Sequence, residues 1–149
     1  MELELPGLFE TVEYFGRGPH ENYIDRCAAA EVGLYRTTID AMHVPYIMPQ
    51  ENGHRTGVRR LKLGSAKLRH ALEFIAPVPM EFSVGRYPIG DLLTKRHEPE
   101  LCDSGKVWLH LDLRQRGVGT ASCGPDTLPQ YRIPAGDYHF RYLLRVTEA

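Results

Sequence analysis

The residues best equipped for chemistry lie in three stretches: "FGRGPHENYIDR" (15–26), "HVPYIMPQENGHRTG" (43–57) and "RGVGTASCGPDTLPQ" (116–130). The first two hold three carboxylates, Glu21, Asp25 and Glu51, the raw material of a glycosidase. Such an enzyme sets two carboxyl groups about 5–5.5 Å apart for retention of configuration, or about 6.5–9.5 Å apart for inversion. Nothing in the spacing makes any two of these three face one another. Arg17 and Arg26 flank Glu21 and Asp25, which predicts local ion pairs or turn caps instead.

Other chemistries fit less well. The histidines His20, His43, His54, His70, His97, His110 and His139 are scattered, with neither HxH nor HExxH spacing, so no metal site is expected. "TASCGPD" is not the GxSxG elbow of a serine nucleophile. "GRG" and "GVG" are too short for a phosphate cradle, and their glycines read as residues free to take positive φ in tight turns. The Glu-Asn pairs of "ENYIDR" and "PQENG" suit turns capped by asparagine, with Gly53 in left-handed geometry. Read residue by residue, these stretches make structured loops and no catalytic residue.

The elements that must carry them are mostly strands. In "VWLHLDLRQ", Val107, Leu109, Leu111 and Leu113 alternate with polar residues or Trp108, and in "DYHFRYLLRV" Tyr138, Phe140, Tyr142, Leu144 and Val146 do the same. Each predicts a strand with one buried face. "KLRHALEF" repeats the pattern with Leu68, Leu72 and Phe74, which puts His70 on the apolar side as a core histidine, whereas His110 and His139 fall on outer faces. "FETVEYF", "VRRLKL" and "MEFSVGRY" are weaker strands, and "IPAGDY" reads as a turn. Only "IGDLLTKRHEPEL" has helical rhythm, with Ile89, Leu92, Leu93 and Arg96 on one side and a stop before Pro99. Residues 16–56 and 114–129 read as long loops, which are uncommon in compact domains and often functional. The class is therefore all-β, mainly antiparallel, as a sandwich or barrel with one short helix and no internal boundary across 1–149.

Composition bounds the partners. The 149 residues are 42% apolar and 25% charged, with a net charge of −1, so nothing electrostatic favours nucleic acid or an anionic membrane. No apolar run approaches the roughly 20 residues of a membrane span. "MELELPGLFE" lacks the regions of a signal peptide, and Cys27, Cys102 and Cys123 make an odd, widely spaced set, so reduced thiols and a cytoplasmic location are expected.

Taken in order, "VEYFGRGPHENYIDR", "VPYIMPQENGHRTGVRRLKL" and "WLHLDLRQRGVGTASCGPDTLPQYRIPAGDYHFRYLLR" resemble the C-terminal, small-chain region of glycoside hydrolase family 2 β-galactosidases. "SVGRYPIGDLLTKRHEPEL" fits between the second and third blocks. The resemblance implies a large antiparallel β-sandwich, a supersandwich like that of galactose mutarotases, of which this chain is the C-terminal half. It also implies retaining hydrolysis of terminal β-D-galactosides such as lactose, by two glutamates in an upstream TIM barrel. This segment would then be an accessory domain closing one wall of the substrate pocket, inactive by itself. The barrel and the other domains become its partners, any Mg or Na belongs to those domains, and a half-sandwich invites self-association. No cofactor is expected in this chain.

The resemblance also points to a site. In the best-studied branch a tryptophan in the loop after the "GxG" turn stacks on sugar. That place falls here at Cys123, with Ser122 and Gly124 as neighbours in register, while Trp108 lies elsewhere, in the preceding strand. A cysteine offers far less surface than an aromatic platform, so stacking from this loop should be weak. Two other classes remain open: a free-standing epimerase of the mutarotase type, and a non-catalytic carbohydrate-binding module.

Overall fold

The computed structural model describes residues 1–119 and 124–148. Seven strands build one antiparallel sheet: β1 (Glu2–Pro6), β2 (Thr11–Gly18), β3 (Glu31–Thr38), β4 (Arg55–Gly64), β5 (His70–Gly85), β6 (Lys106–Asp112) and β7 (Leu143–Glu148). Their order is β1-β6-β5-β4-β2-β3, with β7 also on β5. The all-β, antiparallel class is as expected. Alternation explains the inner face: Val12 and Tyr14, Leu61 and Leu63, Phe74 and Phe82, and Val107, Leu109 and Leu111 all point into one core. The one-turn helix α1 (Ile39–Met42) lays Ile39 and Met42 on that core, and Thr38 Oγ1 caps it by accepting from Ala41 N at 3.1 Å.

β5 is the spine. It takes in both "KLRHALEF" and "MEFSVGRY", read from sequence as separate strands, and joins them through an excursion at Ala76–Pro79. From Ile75 to Met80 β5 advances five residues while β4, from Arg60 to Val58, advances two. Pro77 and Pro79 have no N–H to give a ladder, so the chain bulges there rather than breaking. β4 runs along one edge of β5. On the other edge β7 pairs the first half (His70–Ile75) and β6 the second (Glu81–Gly85).

Several expectations are corrected. Residues 16–56 are not one loop, because β2 continues to Gly18 and β3 and α1 follow. β3 escaped notice because Val32 and Leu34 face solvent, so its inner face carries little apolar signal. β7 covers only the end of "DYHFRYLLRV", and Leu144 and Val146 are exposed because none of the described residues covers them. His70 is exposed, since β5 begins there, opposite Glu148 at the end of the sheet. The second helix, α2 (Ile89–Thr94), ends short of Arg96 because Lys95 is extended; it buries Leu92 and leaves Leu93 outside.

On the outer face, charges alternate in sign across five strands: Arg36, Glu13, Arg60, Glu73 and Arg145. Arg36 Nε lies 2.7 Å from Glu13 Oε2 and Arg60 Nε 3.0 Å from Glu73 Oε1, and Arg60–Glu13 and Arg145–Glu73 close the row. The hydrogen bond from Arg36, joined by Arg60, holds the Glu13 carboxyl below its ordinary 4.5 despite partial desolvation. A folded-state value below the unfolded one stabilises the fold above about pH 4.5, and that stabilisation fades as pH falls through the lowered value. Glu13→Gln should therefore lower the melting temperature at neutral pH, with the gap from the parent protein closing below about pH 4. Thermal melts across pH check it, and a gap that widens in acid would refute the assignment.

Candidate functional site

Three loops leave one end of this sheet, and a hub of buried polar side chains fixes them to one another. The first loop follows β2. Asn22 is fully buried, and both ends of its amide are in use. Nδ2 donates to the carbonyls of Arg17 (3.2 Å) and His20 (3.0 Å), and Oδ1 accepts from Thr56 N (3.0 Å) and Thr56 Oγ1 (2.6 Å). One side chain thus ties its own loop to the start of β4. Glu21, also buried, accepts from Gly53 N at 2.7 Å, from the Tyr46 hydroxyl, and from Arg26 Nη1 at 3.4 Å. Here the expected Glu21–Arg26 pair is present.

Tyr23 stacks on His54 with ring centroids 5.2 Å apart. Burial, reinforced by the charges of Glu21 and Glu51, drives the Tyr23 phenol above its ordinary 10.0, so it remains a neutral donor. His54 Nε2 lies 3.1 Å from Glu81 Oε2, which also accepts from Gln115 N at 2.7 Å. Glu81, buried on β5, therefore fastens the beginning of the third loop. Arg55 is buried as well and donates to the carbonyls of Gly53 and His54 and to the Tyr14 hydroxyl.

Asp25 behaves differently from the local ion pair expected of it. Its carboxylate reaches across the molecule and accepts from Val118 N (3.1 Å) and Gly119 N (2.7 Å). Two successive amides turned toward one carboxylate form a small anion nest. The glycines of "GVG" serve this grip. A Cβ on Gly117 would sit 2.6 Å from the Asp25 carboxyl carbon, and Gly119 takes a φ of +57°. Beyond the nest, Thr127 Oγ1 donates to Gly117 O (2.9 Å), while Asp126 pairs with Arg116 and, at 3.3 Å, with Arg132. The bond from Thr127 N, with Arg116 and Arg132 adding to it, holds the Asp126 carboxyl below its usual value. By contrast Gly16 and Gly18 lie in strand β2, where a Cβ on Gly16 would collide with Val58; close approach, not positive φ, requires them.

Of the sequence-based site residues, Gly124 is an exposed bend in the third loop, and Ser122 and Cys123 lie outside the described residues. Next to Gly124, with Pro125 in its lining, is an open groove of about 440 Å³ also lined by Asp25, Arg26, Val118, Asp126, Leu128 and Tyr131. A second polar cluster escaped the sequence reading: Ser83 Oγ donates to Glu51 Oε1 (2.7 Å) and lies 3.2 Å from His110 Nδ1, whose Nε2 is 2.8 Å from Glu2 Oε2. The arrangement looks like a hydrolytic triad, but the Ser83 proton goes to Glu51. The cavity beside it, about 20 Å³, has room for little more than a water. Among the described residues no group of three His, Cys, Asp or Glu side chains could hold a metal ion, and no helix is long and apolar enough to cross a membrane.

Comparison with known proteins shows the family. A family model described as "Beta galactosidase small chain" matches residues 1–144. The chain is 37% identical over 147 residues to a β-galactosidase of Vibrio cholerae serotype O1, covering 98% of this chain and 14% of the relative. It is 36% identical over 132 residues to that of Actinobacillus pleuropneumoniae, covering 89% and 12%. With β-galactosidase 2 of Enterobacter cloacae it shares 40% over 134 residues, again 89% and 12%. The chain thus spans 12–14% of the length of these relatives. It belongs to the β-galactosidase small-chain family.

Proposed function

We propose that this chain is an accessory segment of a retaining β-galactosidase of glycoside hydrolase family 2. It completes one wall of the pocket for terminal β-D-galactosides such as lactose, and the catalytic glutamates lie in another part of the enzyme. The observation that carries this reading is the way its own carboxylates are used. Glu21 binds Gly53 N and Tyr46, Asp25 binds two amides, and Glu51 binds Ser83. A general acid or a nucleophile must be free to meet substrate, and these three are spent on holding loops. Asp25 holds the third loop, which carries Ser122, Cys123 and Gly124, the residues we assign to the sugar-facing wall, and Glu21 ties the first loop to the second. The open groove beside that loop is of ligand-binding size. Exposed apolar residues on β3 and β7, among them Leu34 and Val146, are the surfaces that the rest of the enzyme covers, and self-association would cover them in its absence.

The test has two arms. The purified chain should cleave no chromogenic galactoside and interconvert no galactose anomers; anomer interconversion would move the assignment to an epimerase. In the intact enzyme, Cys123→Trp should lower the KM for galactosides about three- to tenfold, the value of one added aromatic contact, at nearly unchanged kcat. An unchanged KM across several galactosides would remove Cys123 from the wall.

A further inference from the structure

The second loop ends in a feature that the pocket wall does not explain. Ile47 is 93% exposed and Met48 66%, adjacent residues at the apex of "VPYIMPQ". Loop apices ordinarily carry Gly, Asn, Asp or Ser, and a single exposed apolar residue needs no explanation. Two large ones side by side do, because the loop beneath them is so firmly held. Asn52 Oδ1 accepts from Val44 N (3.0 Å) and its Nδ2 donates to Gln50 O (2.9 Å), so one side chain laces the two legs of the loop together. Tyr46 is half-buried and bonded to Glu21, and Pro49 is buried. The residues on either side are therefore clamped inward while Ile47 and Met48 stand outward. Pro45 and Pro49 bracket them and restrict the backbone further.

We propose that Ile47 and Met48 form a preorganised apolar anchor that seats in a hydrophobic pocket on the remaining polypeptide of a β-galactosidase. A rigid projecting pair loses little entropy on docking, and such anchors at the centre of an interface carry most of its affinity. Relatives of this chain hold more than four-fifths of their length outside the matched segment, so a protein surface is at hand to receive it. A membrane fits less well: residues 43–53 contain no lysine or arginine, and Glu51 stands nearby, whereas interfacial anchors draw on basic residues to meet anionic lipid. The position suits a register function. Glu21 links the anchor's loop to the first loop, and Asp25 links the first loop to the third. Seating the anchor would thus align the sugar-facing wall on the catalytic part, a role that rests on the function proposed above.

The experiment replaces the matched segment of the Vibrio cholerae β-galactosidase with this chain and follows methionine oxidation by dilute peroxide, peptide by peptide. Met48 should oxidise readily in the chain alone and roughly tenfold or more slowly in the hybrid enzyme, with buried Met80 slow in both. Ile47→Ser with Met48→Ser should leave the melting temperature of the chain alone unchanged but lower that of the hybrid, and Leu93→Ser, at an equally exposed site on α2, should do neither. An active hybrid in which Met48 oxidises as fast as in the chain alone overturns the anchor and leaves the accessory function standing. A folded hybrid without galactosidase activity counts against the accessory function and the register role built on it. Protection of Met48 in the chain alone, through dimerisation or on vesicles of neutral and anionic lipid, overturns the assigned partner.

Discussion

Asp25→Asn should release the backbone amides of Val118 and Gly119, raising their hydrogen-exchange rates about 10–100-fold while the amides of Leu109 and Leu111 exchange as before. The asymmetry of the amide explains the size of the effect. The aspartate offers both oxygens, one to each N–H. Asparagine has one oxygen, so its NH2 group would confront the second N–H donor to donor, and the charge that strengthened both bonds is gone. The loop also turns on Gly117 and Gly119, which have no side chains with which to hold another shape. Where the pocket-wall function holds, the same substitution in the intact enzyme raises the KM for galactosides more than it lowers kcat. Exchange at Val118 and Gly119 that does not change would show that Thr127, Asp126 and Arg132 suffice to fix the loop.

Asn22→Ala should cost about 3–5 kcal/mol of stability, the largest loss expected from any polar substitution in this chain. Four groups depend on Asn22: the carbonyls of Arg17 and His20, and the amide and hydroxyl of Thr56. Each buried group left without a partner costs about 1–3 kcal/mol. The losses do not sum fully, because water can enter the space left behind. The midpoint of thermal unfolding should fall by about 10–15 °C. Thr56→Val is the internal comparison. It removes only the hydroxyl bond and keeps the backbone one, so it should cost about 1 kcal/mol. Equal losses from the two variants would mean that Asn22 matters only through Thr56.

The degree to which this molecule could be read in advance follows from how local each signal is. β6 announces itself because its inner residues alternate over a single buried face, and β2 and β4 give the same signal more weakly. β3 does not, since its apolar residues point the wrong way. β5 was split by Pro77 and Pro79, residues that bend a strand as readily as they end one. β7 kept its alternation but not its burial, because pattern shows which residues share a face, not whether anything lies on it. In the candidate site, Gly53 and the Glu21–Arg26 pair are turn chemistry, legible within a few residues. The grip of Asp25 joins positions 93 and 94 residues apart. No spacing rule reaches that far. The one available trace was the pair Gly117 and Gly119, which marks a place where something must come very close. The likeness to β-galactosidases drew on all three loops at once, which is why it identified the chain when no single loop could.

The position of β5 also governs the order in which this chain can become a protein. Its partner on one side, β4, has already left the ribosome when β5 emerges, but the strand for the first half of its other edge comes last: His70 must wait for Glu148. At a synthesis rate of about 5–20 residues per second, that edge stays open for several seconds or longer. An unpaired strand rich in apolar residues is then available to any neighbouring chain. Ala76–Pro79, with its two prolines set between the halves, interrupts the ladder where that open edge ends. The same bulge that hid the strand in the sequence would serve as a guard against misassembly during birth.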